Sequence, residues 1–559
     1  MAVIEGIAFD DNASEEIKKL QYGRDWPVVY VINNDKEAYI GETVNATMRI
    51  SQHLNNPKRR ALKCINVISD SNFNKSVVLD LESYLIKYMS SDGLFELQNS
   101  NRGIVLHNYY EREEYEKSFG EIWEQLKELN IVNQSLTVIQ NSDLFKYSPY
   151  KALNLDQYKV VEELMNTLVD TKNDVEGCSI IVNGSAGTGK TVLATYLMKL
   201  LTEVGNVADF IDTESDPGLL YISETLEKLD EMKVGLVIPQ QSLRKTIKKV
   251  FKNIKGLNGK MVLSPNDVSK ETYDLLIVDE AHRLKQRKAL SQYPIFDNNN
   301  RKFDLGNDGT ELDWILKSSK NQIFFYDSSQ SVKPSDVDKE RFDAMFSSEK
   351  VKQFELRSQW RCDGGNDYIE YVKCIMSDKP PVDFKQINNY DFCLFDDVNE
   401  MVEAIKDKDK DYGLCRTVAG YSWKWKTKNK IVDGEYDIEI GDYKYIWNSE
   451  YVDWVNSKNS LNEIGCIHTV QGYELNYTCV ILGNEIKYAI EKGGIYIDKS
   501  NYHDLQGKTS LKTESSLKNY ILNIYVTLMT RGIKGTYVYA CDEGMQEYLS
   551  KFIKAENTL

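Results

Sequence analysis

The run Gly184-Ser185-Ala186-Gly187-Thr188-Gly189-Lys190-Thr191 has the residue types and spacing to cradle phosphate. Glycines let backbone N–H groups wrap an anion, and a helix N-terminus adds favourable partial charge. Lys190 would hold the outer phosphates of a nucleotide, and Thr191 would ligate Mg²⁺. The flanks fit this chemistry. Ile180-Ile181-Val182 leads in as an apolar strand, and Val192, Leu193, Tyr196 and Leu197 follow at helical spacing. A second apolar run, Leu275-Leu276-Ile277-Val278, ends in Asp279-Glu280. A carboxylate at the carboxyl end of a strand can hold the metal, and the next can polarise the attacking water. Asp279 is therefore assigned to metal and Glu280 to catalysis. An apolar strand capped by two acids is unremarkable alone; with the glycine-rich loop upstream it specifies an ATPase.

A second set of chemically capable residues lies near the start of the chain. Tyr30 sits in the apolar run Val28–Ile32, and Tyr39-Ile40-Gly41 follows a short turn. Arg49 and His53 are four apart, on one face of the next helix. Glu82 interrupts an apolar stripe formed by Val78, Leu81, Leu85 and Met89. A carboxylate there is unfavourable unless a metal or a cation partners it. Each residue alone has a bland reading as strand tyrosine or paired charge.

The elements that must position these groups are legible in outline. With 559 residues the chain is long enough for three or four domains. Its hydrophobic content of 42% and charged content of 28% are those of a globular protein. No apolar run approaches the roughly 18 residues of a membrane span, and the start lacks the pattern of a secretory signal. Nine scattered cysteines without CxxC pairs fit a reducing cytoplasm better than a disulfide framework or a zinc site. From about Leu153 strand and helix patterns alternate, as in stacked βαβ units. The helical pattern in Tyr109–Leu129 reads as a connector, Asp297–Asp308 as a polar loop, and the tryptophan-rich stretch around 420–460 as an insertion. The net charge of −16 argues against nucleic acid until its distribution is considered. Asn45–Lys63 and Gln241–Lys260 contain basic residues and no acids, and the second places Lys245, Lys248, Lys249, Lys252 and Lys255 at helical spacing. A solvated helix face is the simpler reading of such a run.

Over Leu153–Asp542 the chain resembles superfamily 1 helicases, and more narrowly the Schlafen-type helicase-like ATPases of bacteria and phages. Asn154-Leu155-Asp156-Gln157 resembles the adenine-reading motif, with Gln157 as reader. Val237-Ile238-Pro239-Gln240 leads into the basic helix, where the family contacts a nucleic-acid strand. Phe324–Gln330 resembles the motif whose Gln330 would sense the γ-phosphate. Gln359-Trp360-Arg361 and Thr527–Gly532 would supply Arg361 and Arg531 as arginine fingers, and His468–Glu474 resembles the motif that places Glu474 at the nucleotide. Gln471-Gly472 stands where a lysine–glycine pair is common, a departure that bears on unwinding more than on hydrolysis. Over Trp26–Gly103 the chain resembles GIY-YIG nucleases, with Val28-Val29-Tyr30 in place of the first motif and Tyr39-Ile40-Gly41 as the second. That resemblance implies one Mg²⁺ or Mn²⁺ on Glu82, Tyr30 as general base or positioner of the nucleophile, and Arg49 on the scissile phosphate. It further implies Tyr39 and His53 beside the water or leaving group, and Asn99 as the late asparagine of the family.

The expected architecture is α/β: a GIY-YIG-like α+β nuclease domain (1–108), a helical linker (109–150) and two RecA-like parallel-sheet lobes (151–350 and 351–559). The expected function is an ATP-dependent motor joined to a metal-dependent endonuclease. It would act on DNA in the cytoplasm, without a membrane, possessing a role in defence against phage. A homo-oligomer or a partner protein is left open. Two other readings compete: an ATP-gated switch that binds nucleic acid without cutting or unwinding it, and a nuclease directed at RNA.

Overall fold

The computed structural model describes residues 2–99, 109–150, 153–185, 187–204, 217–288, 290, 292–327, 335–348, 351–357, 362–427, 434–450, 453–470, 473–504, 508 and 513–556. Of the residues named above, Gly103, Ala186, Gln330, the run Gln359-Trp360-Arg361 and the pair Gln471-Gly472 lie outside the described residues.

The first sheet contains β1 (Val3–Ala8), β2 (Val28–Asn33), β3 (Glu37–Thr43), β4 (Cys64–Ser69) and β5 (Glu96–Leu97) in the order β1-β4-β2-β3-β5. All its pairings are antiparallel except β3 with β5. Strand alternation splits β2 between two cores. Val29 and Val31 face the helix Lys75–Asp92, while Tyr30 and Ile32 face the helix Ala46–Leu54. Both helices begin with an asparagine cap: Asn45 accepts from Met48 N at 3.1 Å and Asn74 from Val77 N at 3.1 Å.

The next sheet contains β6 (Ser179–Gly184), β7 (Val234–Val237), β8 (Val262–Leu263), β9 (Tyr273–Val278), β10 (Ser319–Tyr326) and β11 (Val351–Leu356). Its order is β11-β6-β10-β9-β7-β8, and every pairing is parallel. The unbroken apolar runs have a physical cause: Ile180 and Val182 pack on one face and Ile181 on the other, so both faces are covered.

The last large sheet is built from β12 (Asp391–Leu394), β13 (Arg416–Ala419), β16 (Ile464–Gly465), β17 (Leu475–Leu482), β20 (Gly532–Ala540) and β21 (Lys554–Ala555). Its order is β16-β13-β17-β20-β12-β21, again all parallel. Two hairpins, β14 (Ile438–Ile440) with β15 (Tyr443–Tyr445) and β18 (Ile486–Ala489) with β19 (Gly494–Ile497), interrupt it. The tryptophan-rich stretch folds onto this lobe: Trp447 and Trp454 are fully buried, and Trp454 lies where a Cβ on Gly465 would come within 2.4 Å. The architecture is mixed α/β with two parallel sheets arranged as in RecA-like lobes.

One local expectation needs correction. The supposed polar loop at Asp297–Asp308 is helical through Lys302, because the buried Asn299 and Asn300 satisfy their amides internally. Asn300 donates to Gly306 O and Gly309 O and accepts from Trp314 Nε1 at 2.7 Å. The connecting helix is Arg112–Glu128, and it is not a bare spacer. Phe119, Ile122, Trp123 and Leu126 enter the same core as Leu81 and Leu85.

Candidate nucleotide and metal sites

At the end of β6 the chain turns through Gly187 and Gly189, whose φ values of +87° and +81° lie in the left-handed region that glycine tolerates. The helix Lys190–Leu201 starts directly after. Lys190 is buried and donates to Gly184 O at 2.7 Å and Ser185 O at 2.9 Å, with Asp327 at 3.7 Å. Its ammonium thus lies inside the loop where an anion's phosphates would enter. Thr191 Oγ1 donates to Asp279 Oδ2 at 2.7 Å, which brings together the two expected metal ligands, one from the first turn of this helix and one from the end of β9. This hydroxyl–carboxylate pair is a fitting donor set for a hard divalent cation.

Burial and the adjacent Glu280 push the Asp279 carboxyl up to about 7, against the pull of Thr191 and Lys190. Burial also opposes charge on Glu280, yet His282, Lys190 and Arg283 outweigh it and hold that carboxyl well below the usual range. His282 Nε2 sits 2.9 Å from Glu280 Oε2. The two neighbouring acids are therefore driven apart in acidity, and a cation between Thr191 and Asp279 would ionise Asp279 too.

Gln157 has both ends of its amide engaged. Its oxygen accepts from Asn154 N in a capping box, and its Nε2 donates to Thr188 O at 3.1 Å. It buttresses the phosphate loop, and a Cβ on Gly189 would lie 2.3 Å from that nitrogen. Glu474 and the buried Arg531 come from the other parallel-sheet lobe and line the same cavity of about 840 Å³ as Gln157, Lys190, Thr191 and Glu280. Asp327, one strand over from the loop, was missed in the sequence because a lone aspartate after an apolar strand carries no signal.

The basic helix is Gln241–Lys252. Leu243, Ile247, Val250 and Phe251 are buried, whereas Lys245, Lys249 and Lys252 are exposed. Lys255, expected on the same face, lies beyond the end of the helix, and Arg244 turns inward to Ile238 O at 2.6 Å and Pro239 O at 3.1 Å.

In the first sheet Tyr30, Tyr39, Arg49 and His53 converge, all buried. The Tyr30 hydroxyl is 2.7 Å from His53 Nε2, and the Tyr39 ring meets His53 edge-on at 5.0 Å. Burial and Tyr39 push the Tyr30 phenol well above its usual range; Arg49, hydrogen-bonded to it, pulls the other way, and the charge of Glu82 adds to the rise. Arg49 also donates to Gln52 Oε1 at 2.9 Å. Glu82 is buried on the helix Lys75–Asp92. Asn99 holds β3, accepting from Ile40 N at 3.0 Å and donating to Ile40 O at 2.7 Å.

Arg59 is the residue that sequence reasoning missed as a site member, although it lies in the basic run. Its guanidinium stacks 3.7 Å over the Tyr39 ring and reaches His53 Nδ1 at 2.7 Å. A guanidinium only donates. His53 Nδ1 is therefore an acceptor, its proton resides on Nε2, and Tyr30 receives that proton's hydrogen bond. His53 thus donates to Tyr30 and is not placed to take its proton. Among the described residues no group of three or more His, Cys, Asp or Glu side chains is arranged to hold a metal, so a cation at Glu82 would need most of its ligands from substrate and water.

A family model for the Schlafen group 3 DNA/RNA helicase domain matches residues 178–542. The chain belongs to that family. The match spans both parallel-sheet lobes and includes Lys190, Asp279 and Arg531, so a helicase-type P-loop ATPase is the fold in which the cavity is set. The uncharacterized protein YPL245W of Saccharomyces cerevisiae is 26% identical over 439 residues, which are 71% of this chain and 90% of that protein. Among solved structures, Pif1 helicases at forked double-stranded DNA are 11% identical over 67% of this chain and 91% of theirs, with a TM-score of 0.25. The arterivirus nonstructural protein 10 helicase with DNA is 11% identical over 70% of this chain and 66% of its own, also at 0.25. Likenesses this weak add nothing to what the two sheets show. Among the described residues no helix is long and apolar enough to cross a membrane.

Proposed function

We propose that this chain hydrolyses ATP between its two parallel-sheet lobes and couples that cycle to nucleic acid, with a metal-dependent endonuclease in its first sheet. The observation that carries the motor is the shared cavity: the loop cation Lys190, Thr191 (hydrogen-bonded to Asp279), Glu280 and Arg531 come from two lobes and line one space. When bound, Mg²⁺ would neutralise charge on the transferring phosphoryl group. Thr191 and Asp279 would hold it, Lys190 would bind the β- and γ-phosphates, and Glu280 would orient the attacking water. Arg531 would stabilise the developing charge once the lobes close, which ties hydrolysis to motion. Arg361 and Gln330 would join as the second finger and the γ-phosphate sensor, and Glu474 would touch the nucleotide. The exposed row Lys245, Lys249 and Lys252 would track a phosphate backbone.

For the first sheet the support is convergence. Tyr30, Tyr39, Arg49 and His53 meet in three dimensions, with Glu82 close enough for its charge to act on Tyr30. Mg²⁺ or Mn²⁺ on Glu82 would supply Lewis-acid polarisation of a phosphoryl oxygen. Arg49 would bind the scissile phosphate, and Tyr30, hydrogen-bonded by His53, would bind and orient the nucleophile. DNA is the proposed target, and the proposed setting is cytoplasmic defence against phage. Every one of these residues is buried, so substrate entry requires this site to open. That observation keeps the gated-switch reading in play for the resting protein.

The deciding experiment incubates labelled DNA and RNA with Mg²⁺ or Mn²⁺, with and without ATP. Wild type is compared with Lys190→Ala and Glu82→Ala. The proposal expects Lys190→Ala to lose ATP hydrolysis and Glu82→Ala to lose cleavage of DNA. ATP turnover by Lys190→Ala at the wild-type rate sinks the motor assignment. Cleavage by Glu82→Ala sinks the nuclease site, and cleavage of RNA alone transfers it to the RNA reading.

A further inference from the structure

The helix Lys75–Asp92 belongs to two places at once. Glu82 is near enough to the Tyr30 cluster for its charge to act on Tyr30, while Asp80, Ser83, Tyr84, Lys87 and Tyr88 line the nucleotide cavity. Those five recur at three- and four-residue intervals, a single helical stripe. At 100° per residue Glu82 and Lys87 are separated by about 140° around the axis. One helix, roughly 10 Å thick, thus carries both the metal-site carboxylate and part of the wall of the cavity lined by Lys190, Thr191 and Arg531.

Lys87 is positioned on an aromatic shelf. Its ammonium lies 4.8 Å from the Phe145 ring centroid and 5.4 Å from that of Tyr88, and those two rings are 4.7 Å apart. Gln140 Nε2 donates to the Tyr88 hydroxyl at 2.8 Å, which fixes the shelf. Tyr88 also packs on the buried Trp123 of the helix Arg112–Glu128. The cavity, about 840 Å³, is within the roughly 300–1,000 Å³ of ligand sites and carries cations on both sides.

We propose that the first domain completes the nucleotide pocket: Lys87 contacts a bound nucleoside triphosphate, and occupancy is transmitted through this helix to Glu82. The pocket half rests on the ATPase reading alone, and the transmission half also rests on the nuclease reading. A polyanion entering the cavity draws the Lys87 ammonium off its shelf and toward the phosphates. Because the shelf is part of the core that seats the helix, the helix and Glu82 respond together.

The test uses the full chain and a fluorescent ATP analogue. Lys87→Met should weaken binding about tenfold, the loss of one charged contact, while Lys87→Arg should stay near wild type. Lys190→Ala serves as the reference for the motor. Loss of binding in Lys190→Ala with wild-type affinity in Lys87→Met overturns the proposal and leaves the ATPase reading standing. Equal binding by wild type and Lys190→Ala instead overturns the ATPase reading itself. Transmission is read by hydrogen exchange of the segment 77–89 with and without a non-hydrolysable triphosphate, so no cleavage is needed. The expected result is altered protection in wild type and none in Lys87→Met; unchanged protection in wild type overturns transmission. Lys87 is only half-buried, and matching apo exchange in the two proteins confirms that the variant is folded.

Discussion

Gly41→Ala is a demanding test of the first-sheet geometry because it changes no charge and removes no side chain. A Cβ at Gly41 would lie 2.3 Å from the Tyr30 hydroxyl, 2.5 Å from Cζ and 2.9 Å from Cε2. Carbon contacts settle near 3.5–4.0 Å, so the ring tip must retreat by roughly 1–1.5 Å. Tyr30 is fully buried, and the retreat would carry its hydroxyl out of reach of His53, now 2.7 Å away. Overpacking of this kind destabilises by about 1–3 kcal/mol, and the broken hydrogen bond adds about 1 kcal/mol. Native-state hydrogen exchange of β2 and β3 reads this locally, and the protection factors should fall by roughly 30- to 1,000-fold. If the nuclease assignment holds, DNA cleavage should fall by about 100-fold, since a displacement near 1 Å is that disruptive. ATP hydrolysis should not change. The double variant Gly41→Ala/Tyr30→Ala keeps the added Cβ but removes the ring it meets, so its destabilisation should fall short of the sum of the two single effects by at least about 1 kcal/mol. Strict additivity, or unchanged protection in Gly41→Ala, would refute the packing argued here.

Gly189→Ala forces a side chain into φ +81° and toward the Gln157 amide at 2.3 Å, a strain of about 1–3 kcal/mol. Calorimetric titration should show ATP affinity weakened at least about tenfold. Glu311 is buried, and burial lifts its carboxyl from 4.5 to about 7, against the pull of Lys285. A folded-state value raised this way stabilises fully below about pH 4.5 and is lost as pH rises through about 7. Thermal unfolding of wild type should therefore occur at lower temperature at pH 8 than at pH 6, and Glu311→Gln should flatten that difference. Replacing Lys245 and Lys249 with Glu should weaken binding to nucleic acid evenly across sequences. The slope of log affinity against log salt should drop by roughly 0.7–0.9 for each lost phosphate contact.

The phosphate loop and its acidic partner were legible because their chemistry is contiguous in sequence: a strand, a turn that needs glycine, and a helix start. Lys190, Thr191 and Asp279 then met as expected, since parallel strands deliver such residues to one sheet edge. The Tyr30 cluster was legible by residue type, and the structure supplied its direction. Arg59 was not legible as a site residue, because a guanidinium on a ring and a ring nitrogen leaves no periodic trace. The helix Arg112–Glu128 showed its apolar face in sequence but not the surface that face would cover. Arg244 shows the converse limit: a basic residue in a basic run turned inward to cap two carbonyls. The Asn299–Asn300 pair misled for the same reason, since polar residues read as loop until their buried partners are known.

Glu474, which enters the shared cavity from the second parallel-sheet lobe, is also held through its backbone, and this has a mechanical meaning. Lys146 donates to Glu474 O at 3.1 Å on one lobe, and Tyr147 O accepts from Thr195 at 3.1 Å on the other. Asn141 adds a bond to Tyr412 O at 2.7 Å. Consecutive residues thus fasten the two lobes at nearly one point, and one residue of extended chain spans only about 3.5 Å. While both fastenings hold, the lobes cannot separate there by more than that step and the length of the Lys146 side chain. Their opening must then be a swing about a fulcrum at residues 146 and 147, widest at the edge farthest from it.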